Sequence, residues 1–306
     1  MDIASRISQL VVYGIISGSI ITLGAIGLSL TYGILKFANF AHGDVMSLGA
    51  FVALFFLAIF RVANLPTQPL YPLSFGLPLI LAFILGMITT GVVAIVIDKI
   101  LYRRLRTTGN ITLLIASVGV SFVLRNFIQF VWGPQPRYYI KKIQITERIP
   151  FLGVRIKPDE VFIICVAIFL VIFLHLFLKN TKMGKAMRAT SDNMDLARVS
   201  GIDTESVINW TWAIGSALAA AGGILAGIEN KFITPNLGWN MLLFIFAAVV
   251  LGGVGSPYGA ILGGMIIGLS GEVSTAFIST SYKPAVAFII MIVMLLIKPR
   301  GILGEK

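Results

Sequence analysis

The sequence has few charged residues, since Asp, Glu, Lys and Arg make up only 12% of it, and a single cysteine. Soluble globular domains usually contain about 25% charged residues, so this chain cannot cover a surface that faces water. Hydrophobic residues make up 57% and the mean hydropathy is +0.94. The lone Cys165 excludes an internal disulfide framework and a cysteine metal cluster, and His42 has no second metal ligand at suitable spacing. No metal site is predicted.

Several catalytic patterns are also missing. The apolar runs contain no paired carboxylates, no Ser/His pair and no H-E-x-x-H, which argues against an intramembrane enzyme. The net charge of +11 is not accompanied by a run of basic and aromatic residues, so a nucleic-acid partner is not expected. Alternating strands typical of an outer-membrane barrel are absent as well.

What the chain does have is long, continuous apolar runs, and these predict membrane-spanning helices. We expect spans at 10–32, 44–62, 77–101, 111–132, 159–178, 207–229, 240–256, 258–275 and 283–298. The predicted fold is an all-α integral membrane bundle, a single permease-like domain over residues 1–306, with about eight or nine transmembrane helices. Segments 31–49 and 240–275 could instead be glycine-interrupted or re-entrant.

Basic residues predict the orientation. They follow closely on the span ends at 99–106, at 179–198 and in the tail at Lys298, Arg300 and Lys306. The positive-inside rule places these three segments, and the C-terminus, in the cytoplasm. The segment 133–158 is then an extracytoplasmic loop, although it contains six basic residues and four prolines, and we expect it to form a small cap.

The stretch 30–51 places Lys36, Asn39, His42 and Asp44 between two apolar runs, with glycines at 33 and 43. Ionisable groups and an unwound backbone at membrane depth are tolerated where they line a cavity. The stretch is therefore either a cytoplasmic turn or a broken helix beside a translocation path. We favour the broken helix, with Asn39, His42, Gly43 and Asp44 as the frame of a gate, and with Asp44 capping a helix that starts at Val45.

Glycine suggests an internal repeat. A glycine-rich span followed by a glycine-interrupted one occurs at 10–32 and 31–49, and again at 207–229 and 251–272. Paired interrupted helices in two halves are typical of transporters. An inverted repeat is therefore possible.

Polar side chains inside other spans are further candidates for the path. Arg125 and Gln129 share a helix face, and Glu272 lies in the eighth span. Arg125 and Glu272 together could bind the carboxylate and the ammonium of an amino acid. The alternative is a structural ion pair, or charges that extend to the interface.

The segment 179–206 is the longest polar one on the predicted cytoplasmic side. We expect a short amphipathic helix capped by Asp192, with Asp195 in its first turn, Arg198 paired with it, and Gly201 at its end. Such a helix suits docking into a partner's groove, whereas the alternative is a solvated loop. The residues assigned to this coupling segment are Thr181, Gly184, Arg188, Asp192, Asp195, Arg198 and Gly201.

Four motifs together resemble the LivH-type permeases. They are the 30–51 stretch, T-x-x-G-x-A-x-R-A-x-S from Thr181 with its A-x-x-x-G-I continuation, G-G-x-G-S-x-x-G-A-x-x-G-G from Gly252, and K-P-R-G-I-L-G from Lys298. The resemblance implies the membrane subunit of an ATP-driven importer for branched-chain or other neutral amino acids, in a bacterial cytoplasmic membrane. It also implies two ATPase subunits that hold ATP and Mg²⁺, a second LivM-type permease and an extracytoplasmic binding protein.

The sequence agrees that this chain binds no cofactor itself, because Gly184-Lys185 lacks the rest of a phosphate-binding loop. Two alternatives stay open. Urea or short amides could replace amino acids as substrate. An ATP-independent carrier or channel would also use broken helices and buried charge.

Overall fold

The protein is described by a computed structural model that covers residues 3–66, 68–140, 147–149 and 154–304. It is an almost wholly helical bundle. The helices are α1 (Ile3–Leu35), α2 (His42–Val62), α3 (Leu77–Ile97), α4 (Arg103–Leu105), α5 (Asn110–Trp132), α6 (Pro158–Asn180), α7 (Lys182–Asp192), α8 (Met194–Val199), α9 (Thr204–Asn230), α10 (Leu237–Gly252), α11 (Pro257–Ser274) and α12 (Lys283–Ile297). A π-helical turn, Asp98–Tyr102, joins α3 to α4, and a 3₁₀ turn, Thr280–Tyr282, precedes α12. Strands β1 (Glu147–Ile149) and β2 (Val154–Ile156) form an antiparallel hairpin.

Each predicted span corresponds to a helix, which confirms the all-α membrane bundle. By length and apolar composition, 7 helices in the described residues can cross a membrane: α1, α2, α3 with its continuation through α4, α5, α6, α9, and α12 with its 3₁₀ turn. The α10 helix, Leu237–Gly252, is apolar but shorter. This count is below the eight or nine that the hydropathy pattern predicts, because the spans expected at 240–256 and 258–275 correspond to α10, of 16 residues, and α11, of 18 residues, and neither is among the seven.

The loops gather at two ends of the bundle. At one, here called the basic end, Arg106 pairs with Glu205 and the end of α1 contacts Ser191. At the opposite end, called the hairpin end, Gln9 bonds to Arg155 of β2 and Lys231 to Asp159. The three basic segments of the topology prediction share the basic end. Within the segment 133–158 and the tail, Lys141, Lys142, Pro150 and Lys306 lie outside the described residues.

Glycines allow the central helices to approach closely. A Cβ on Gly14 would lie 2.8 Å from the backbone of Leu269, and one on Gly18 would lie 3.2 Å from Met265. The α1 helix therefore runs antiparallel to α11 with its backbone in contact, as small residues permit where apolar burial gives no drive. By contrast, α6 exposes a row of large apolar side chains that suits lipid: Ile168, Phe169, Ile172, Phe173 and Leu176.

The chain is built from two inverted units, α1–α2–α3–α5 and α9–α10–α11–α12. The long first helix of each ends at a lysine with left-handed backbone, Lys36 with φ 55° and Lys231 with φ 65°. Six residues, 36–41 in one unit and 231–236 in the other, then lead to the next helix. The α1 helix ends at the basic end and α9 at the hairpin end, so the two units have opposite orientation.

The second interrupted segment is not the one that glycine content predicts. It lies at 231–236, whereas 252–271 forms the end of α10, a turn and the continuous helix α11. Gly259 and Gly263 provide close packing of α11 on α10, because Cβ atoms there would overlap the backbone of Gly252 and Ala248. Glycine spacing marked helix contacts there, and the real break carries no glycine.

Candidate translocation path and coupling surface

The first crossover, residues 36–41, turns back into the bundle. Phe40 donates its backbone N–H to Ser117 Oγ at 3.0 Å, and the backbone N–H of Ala41 bonds to Asn39 Oδ1 at 3.1 Å. His42 Nε2 lies 2.9 Å from the carbonyl oxygen of Gly24. Gly24 precedes the end of α1 by 11 residues, about 16 Å along a helix. The α2 helix therefore begins deep inside the bundle and not at its surface.

Buried polar and aromatic groups surround this crossover. Asn39 and His42 are each 1% exposed. The hydroxyl of Tyr102 lies 3.4 Å from Asn39 Oδ1, and the Tyr102 ring stacks on Trp212 with 5.2 Å between centroids. Both predicted frame residues thus bond to the chain itself.

The two inverted units meet at a glycine pair. A Cβ on Gly238 would overlap the carbonyl oxygen of Gly43, and one on Gly43 would overlap that of Gly238. The backbone N–H of Gly238 also bonds to Ser47 Oγ at 2.8 Å. Only glycine permits this backbone approach, so α2 and α10 begin side by side at the centre of the molecule.

The prediction that Asp44 caps a helix starting at Val45 is wrong. The α2 helix begins at His42, so Asp44 lies within its first turn, and its carboxylate is fully buried. It accepts hydrogen bonds from Arg125 Nε at 3.0 Å and Nη2 at 2.9 Å, and from Ser121 Oγ. A charged partner opposite the carboxylate outweighs capping of a nearby N–H.

Trp239 covers the other side of Arg125. The guanidinium carbon lies 4.4 Å from the centre of the Trp239 ring, a cation–π contact between α5 and α10. The sequence analysis assigns Trp239 no site role. Trp239 follows Lys231 at the same distance as Asp44 follows Lys36, and this correspondence is recognised only once the two left-handed lysines are compared.

Arg125 and Glu272 do not come together, and the prediction that they bind a zwitterion as a pair is wrong. Glu272 accepts from Lys283 Nζ at 2.7 Å and from Ser17 Oγ at 3.0 Å, on the face between α11 and α1. Gln129 lies one turn beyond Arg125 on α5, half-exposed, and its amide makes no hydrogen bond with the described residues. Arg125 is neutralised inside the bundle.

The polar segment 179–206 folds into two short helices. Thr181 caps α7 by accepting the backbone N–H of Gly184 at 2.9 Å. Asn193 caps α8, accepting from Leu196 N at 2.9 Å, so the predicted cap at Asp192 is wrong. Asp192 is the last residue of α7, because the extended backbone needed at a cap falls on Asn193, with φ −154°.

The end of α8 follows the sequence pattern. Gly201 has φ 84°, its N–H bonds to the carbonyl of Arg198, and Ile202 N–H bonds to that of Ala197. Asp195 stands in the first turn of α8 as expected, but no ion pair joins it to Arg198 within the described part of the chain. Leu196 and Val199 are instead 62% and 83% exposed, an apolar surface on a polar segment.

The α7 helix is bonded directly to the start of the first crossover. Lys36 Nζ donates to the carbonyl of Ser191 at 3.0 Å, and Ser191 Oγ donates to the carbonyl of Gly33 at 3.1 Å. Between α7, the end of α1 and the 254–257 turn lies a cavity of about 440 Å³, which exposed Arg188 and Asp192 border. Movement of α7 would act first on the residues where α1 ends.

The tail closes the basic end. Ile302 N–H bonds to the carbonyl of Leu251 at 2.9 Å, and Leu303 N–H to that of Gly252 at 2.8 Å. The motifs K-P-R-G-I-L-G and G-G-x-G-S are thus in contact, and both pack near the α10–α11 turn.

The hairpin end is held by charged groups. Asp159 of α6 accepts from Lys231 Nζ at 2.6 Å and from both the backbone N–H and the hydroxyl of Ser74. At the N-cap of α6, burial alone would lower the pKa of Lys157, but the hydrogen bond and charge of Glu160 raise it above its ordinary value. Tyr139 donates to the carbonyl of Ala50 at 2.6 Å, and burial raises its pKa well above the usual range. No group of His, Cys, Asp or Glu that could hold a metal ion occurs among the described residues.

Two inverted helical units with interrupted helices at their contact define a multi-pass membrane protein of the transporter class. The chain belongs to the family of branched-chain amino acid transport system permease components, whose model matches residues 10–295.

Similar proteins are also named as branched-chain amino acid transport permeases. The chain is 32% identical to the high-affinity branched-chain amino acid transport system permease protein LivH of Salmonella typhimurium, over 95% of this chain and 94% of that protein. It is 31% identical to BraD of Pseudomonas aeruginosa, over 97% and 95%. LivM of Salmonella typhimurium is 28% identical, over 50% of this chain and 37% of LivM. No solved structure matches.

Proposed function

We propose that this chain is the permease subunit of an ATP-binding-cassette importer that moves branched-chain or other neutral amino acids into the cytoplasm. The observation that supports the proposal most is the bonding of α7 to the end of α1 through Ser191 and Lys36. It links a polar surface helix to the crossover that interrupts the bundle. A transporter driven by a separate ATPase needs such a link, since the permease itself hydrolyses nothing.

The partners follow from the two ends. Two ATPase subunits hold ATP and Mg²⁺, and one of them seats on α7 and α8, where Leu196 and Val199 offer apolar contact and Arg188 a charge. A LivM-type second permease completes the path. A binding protein delivers substrate at the hairpin end, and the basic end with the C-terminus lies in the cytoplasm of a bacterium.

The mechanism is a rigid-body change transmitted to the centre. Closure of the ATPase subunits displaces α7, and Ser191 carries the displacement to Gly33 and Lys36. The first crossover then moves against Gly238 at the contact of the two units. Asn39 and His42 hold the crossover in shape, so the gate moves as a body.

Co-purification and reconstitution test the proposal. A tagged chain expressed with its neighbouring genes should bring down an ATPase, and the complex in liposomes should take up leucine only with ATP and the binding protein. Uptake by this chain alone, with no ATPase bound, would support an ATP-independent carrier instead. Uptake of urea in preference to leucine would favour the short-amide alternative.

Substitutions in the coupling segment refine that test. Arg188→Ala, and Leu196→Ser with Val199→Ser, should lower leucine uptake and its coupling to ATP hydrolysis while the chain still folds. Ser200→Ala is the matched control, because Ser200 is exposed on the same segment and its side chain bonds to no described residue. Unchanged uptake in both variants would contradict docking at α7 and α8.

A further inference from the structure

A polar face on α5 and α10 is not satisfied by the chain itself. Asn126, Asn236, Trp239 and Asn240 are exposed, and Gln129 is half-exposed. The side-chain amides of Gln129, Asn236 and Asn240 form no hydrogen bond with the described residues. Asn126 donates only to its own helix, to the carbonyl of Phe122 at 2.8 Å. These five residues are here called the amide face.

The amide face begins at the depth of the central glycine pair. Trp239 and Asn240 directly follow Gly238, which contacts Gly43, and His42 beside it bonds to Gly24 of α1. The stacking of Trp239 on Arg125 joins the start of α10 to α5. From there the face extends toward the hairpin end. Asn236 lies between the end of α9 and the start of α10, and Gln129 lies near the end of α5.

Contact with lipid is unfavourable for the amides of this face. Moving an amide from water into hydrocarbon without a compensating hydrogen bond is strongly unfavourable. The rows of α3 and α6 that suit lipid consist of apolar side chains, whereas on α5 exposed Phe122 and Phe130 lie one turn to either side of Asn126. The outer side of α3 exposes Ile88, Val92 and Val96, and that of α6 exposes Ile168 and Ile172. Unpaired amides at membrane depth therefore indicate contact with water or with a polar solute.

We propose that the amide face lines the outer half of the translocation path, between the hairpin end and the central glycine pair. This inference rests on the proposed function and adds the residues and the chemistry of the passage. Amides donate to a carboxylate and accept from an ammonium, so an uncharged lining can contact both ends of a zwitterion. Arg125 adds no net charge, because Asp44 neutralises it and the Trp239 ring covers it.

Thiol accessibility in the assembled transporter tests the inference. Cys165→Ala first removes the single native cysteine, which lies on the exposed side of α6. Asn240→Cys and Asn126→Cys are then compared with Ile172→Cys on α6 and Val92→Cys on α3. The probe is a membrane-impermeant methanethiosulfonate added to proteoliposomes that contain the whole complex.

Only the thiolate reacts, and a thiol in apolar surroundings stays protonated, so we expect cysteines on the amide face to react at least about tenfold faster than the two lipid-facing ones. Leucine uptake should fall as they are labelled. Reaction no faster than at Ile172→Cys would overturn the inference, whether lipid or a dry protein interface covers the face.

A second arm separates this inference from the proposed function. Asn240→Leu should reduce leucine uptake severalfold while Asn240→Gln retains it, with ATP hydrolysis measured in parallel. Suppose that the complex transports leucine, but the cysteines are unreactive and Asn240→Leu leaves uptake unchanged. The amide face then does not line the path, and the proposed function stands. If the cysteines react but no ATPase is bound and no ATP-driven uptake occurs, the proposed function fails and the aqueous face stands.

Discussion

The two crossovers have the same backbone conformation, but their lysines bond to different parts of the molecule. The first, residues 36–41, and the second, residues 231–236, each begin at a lysine in the left-handed region. Each has six residues and is followed two residues later by one member of the glycine pair Gly43–Gly238. At the basic end, Lys36 bonds to the carbonyl of Ser191 on an exposed surface helix. At the hairpin end, Lys231 bonds to the buried carboxylate of Asp159. The first crossover is thus tied to a surface open to a partner, and the second to the bundle itself.

The same asymmetry appears at the centre. Asp44 and Trp239 occupy equivalent positions after the two crossovers, and both contact Arg125. One supplies the opposite charge and the other an aromatic cover. A symmetric backbone therefore carries chemically different side chains, so a substitution at one position should not have the effect of its counterpart.

Removing the charge at Asp44 should have the largest effect. Asp44→Asn leaves Arg125 without a counter-ion, and breaking a buried ion pair typically costs about 3–5 kcal/mol. We expect a large fall in the melting temperature of the purified chain in detergent. Trp239→Phe, at the equivalent position, keeps an aromatic face and should cost about 1 kcal/mol or less.

The double variant Asp44→Asn with Arg125→Gln sharpens this comparison. It removes both charges, so it should recover part of the stability lost in Asp44→Asn alone. Equal losses for Asp44→Asn and Trp239→Phe, or no recovery in the double variant, would contradict the asymmetry of the two positions.

The glycine pair is the point where the two units should respond alike. Gly43→Ala and Gly238→Ala each force a Cβ onto the partner's carbonyl group, and overpacking of this kind costs typically about 1–3 kcal/mol. Gly119→Ala on α5 is the matched control, since its Cβ would meet nothing within 4 Å. A melting temperature lowered as much by Gly119→Ala would show that the close approach is not the cause.

Long-range features explain what the sequence could predict and what it could not. The apolar runs gave the helices, and the charged cluster at 36–44 predicted a break that is indeed present, because burial of ionisable groups is a local signal. The partner of Asp44 is 81 residues away, on α5, and no spacing rule identifies it. Helix capping was expected for Asp44 because its contact with Arg125 cannot be deduced from the sequence.

The glycine content predicted the second interrupted segment at the wrong place, for a related reason. A glycine in a membrane helix can mark either a break or a close helix contact, and Gly259 and Gly263 are contacts. The break at 231–236 begins at Lys231, whose left-handed backbone is unusual for a lysine and carries no sequence signal of its own. Symmetry with Lys36 becomes visible only when both backbones are compared.

The same substitution at the two lysines should lower stability by different amounts. Glycine adopts left-handed backbone without strain, which favours Lys36→Gly and Lys231→Gly alike. Lys231→Gly also leaves the buried Asp159 without its cation, so we expect a loss of about 1–3 kcal/mol, while Ser74 still bonds to that carboxylate. Lys36→Gly should leave stability within about 1 kcal/mol, because its lost bond is exposed. Equal losses of stability in thermal melts would contradict the different roles of the two lysine contacts.

Ser191→Ala removes one hydrogen bond to the carbonyl of Gly33 and should cost only about 0.5–1.5 kcal/mol of stability. Its effect should lie in coupling: if α7 acts on the first crossover through Ser191, leucine uptake per ATP hydrolysed falls while the complex still assembles. Thr190→Ser is the matched control, since the hydroxyl of Thr190 bonds within α7, to the carbonyl of Ala186, and serine keeps that bond. The counterpart at the hairpin end is Arg137→Ala, which keeps the backbone bridge to Ile233 and should leave this ratio unchanged, because the second crossover is not tied to α7. An uptake-to-hydrolysis ratio that falls equally in Ser191→Ala and Arg137→Ala would mean that both crossovers sense the ATPase, and that the asymmetry of their contacts does not set the direction of coupling.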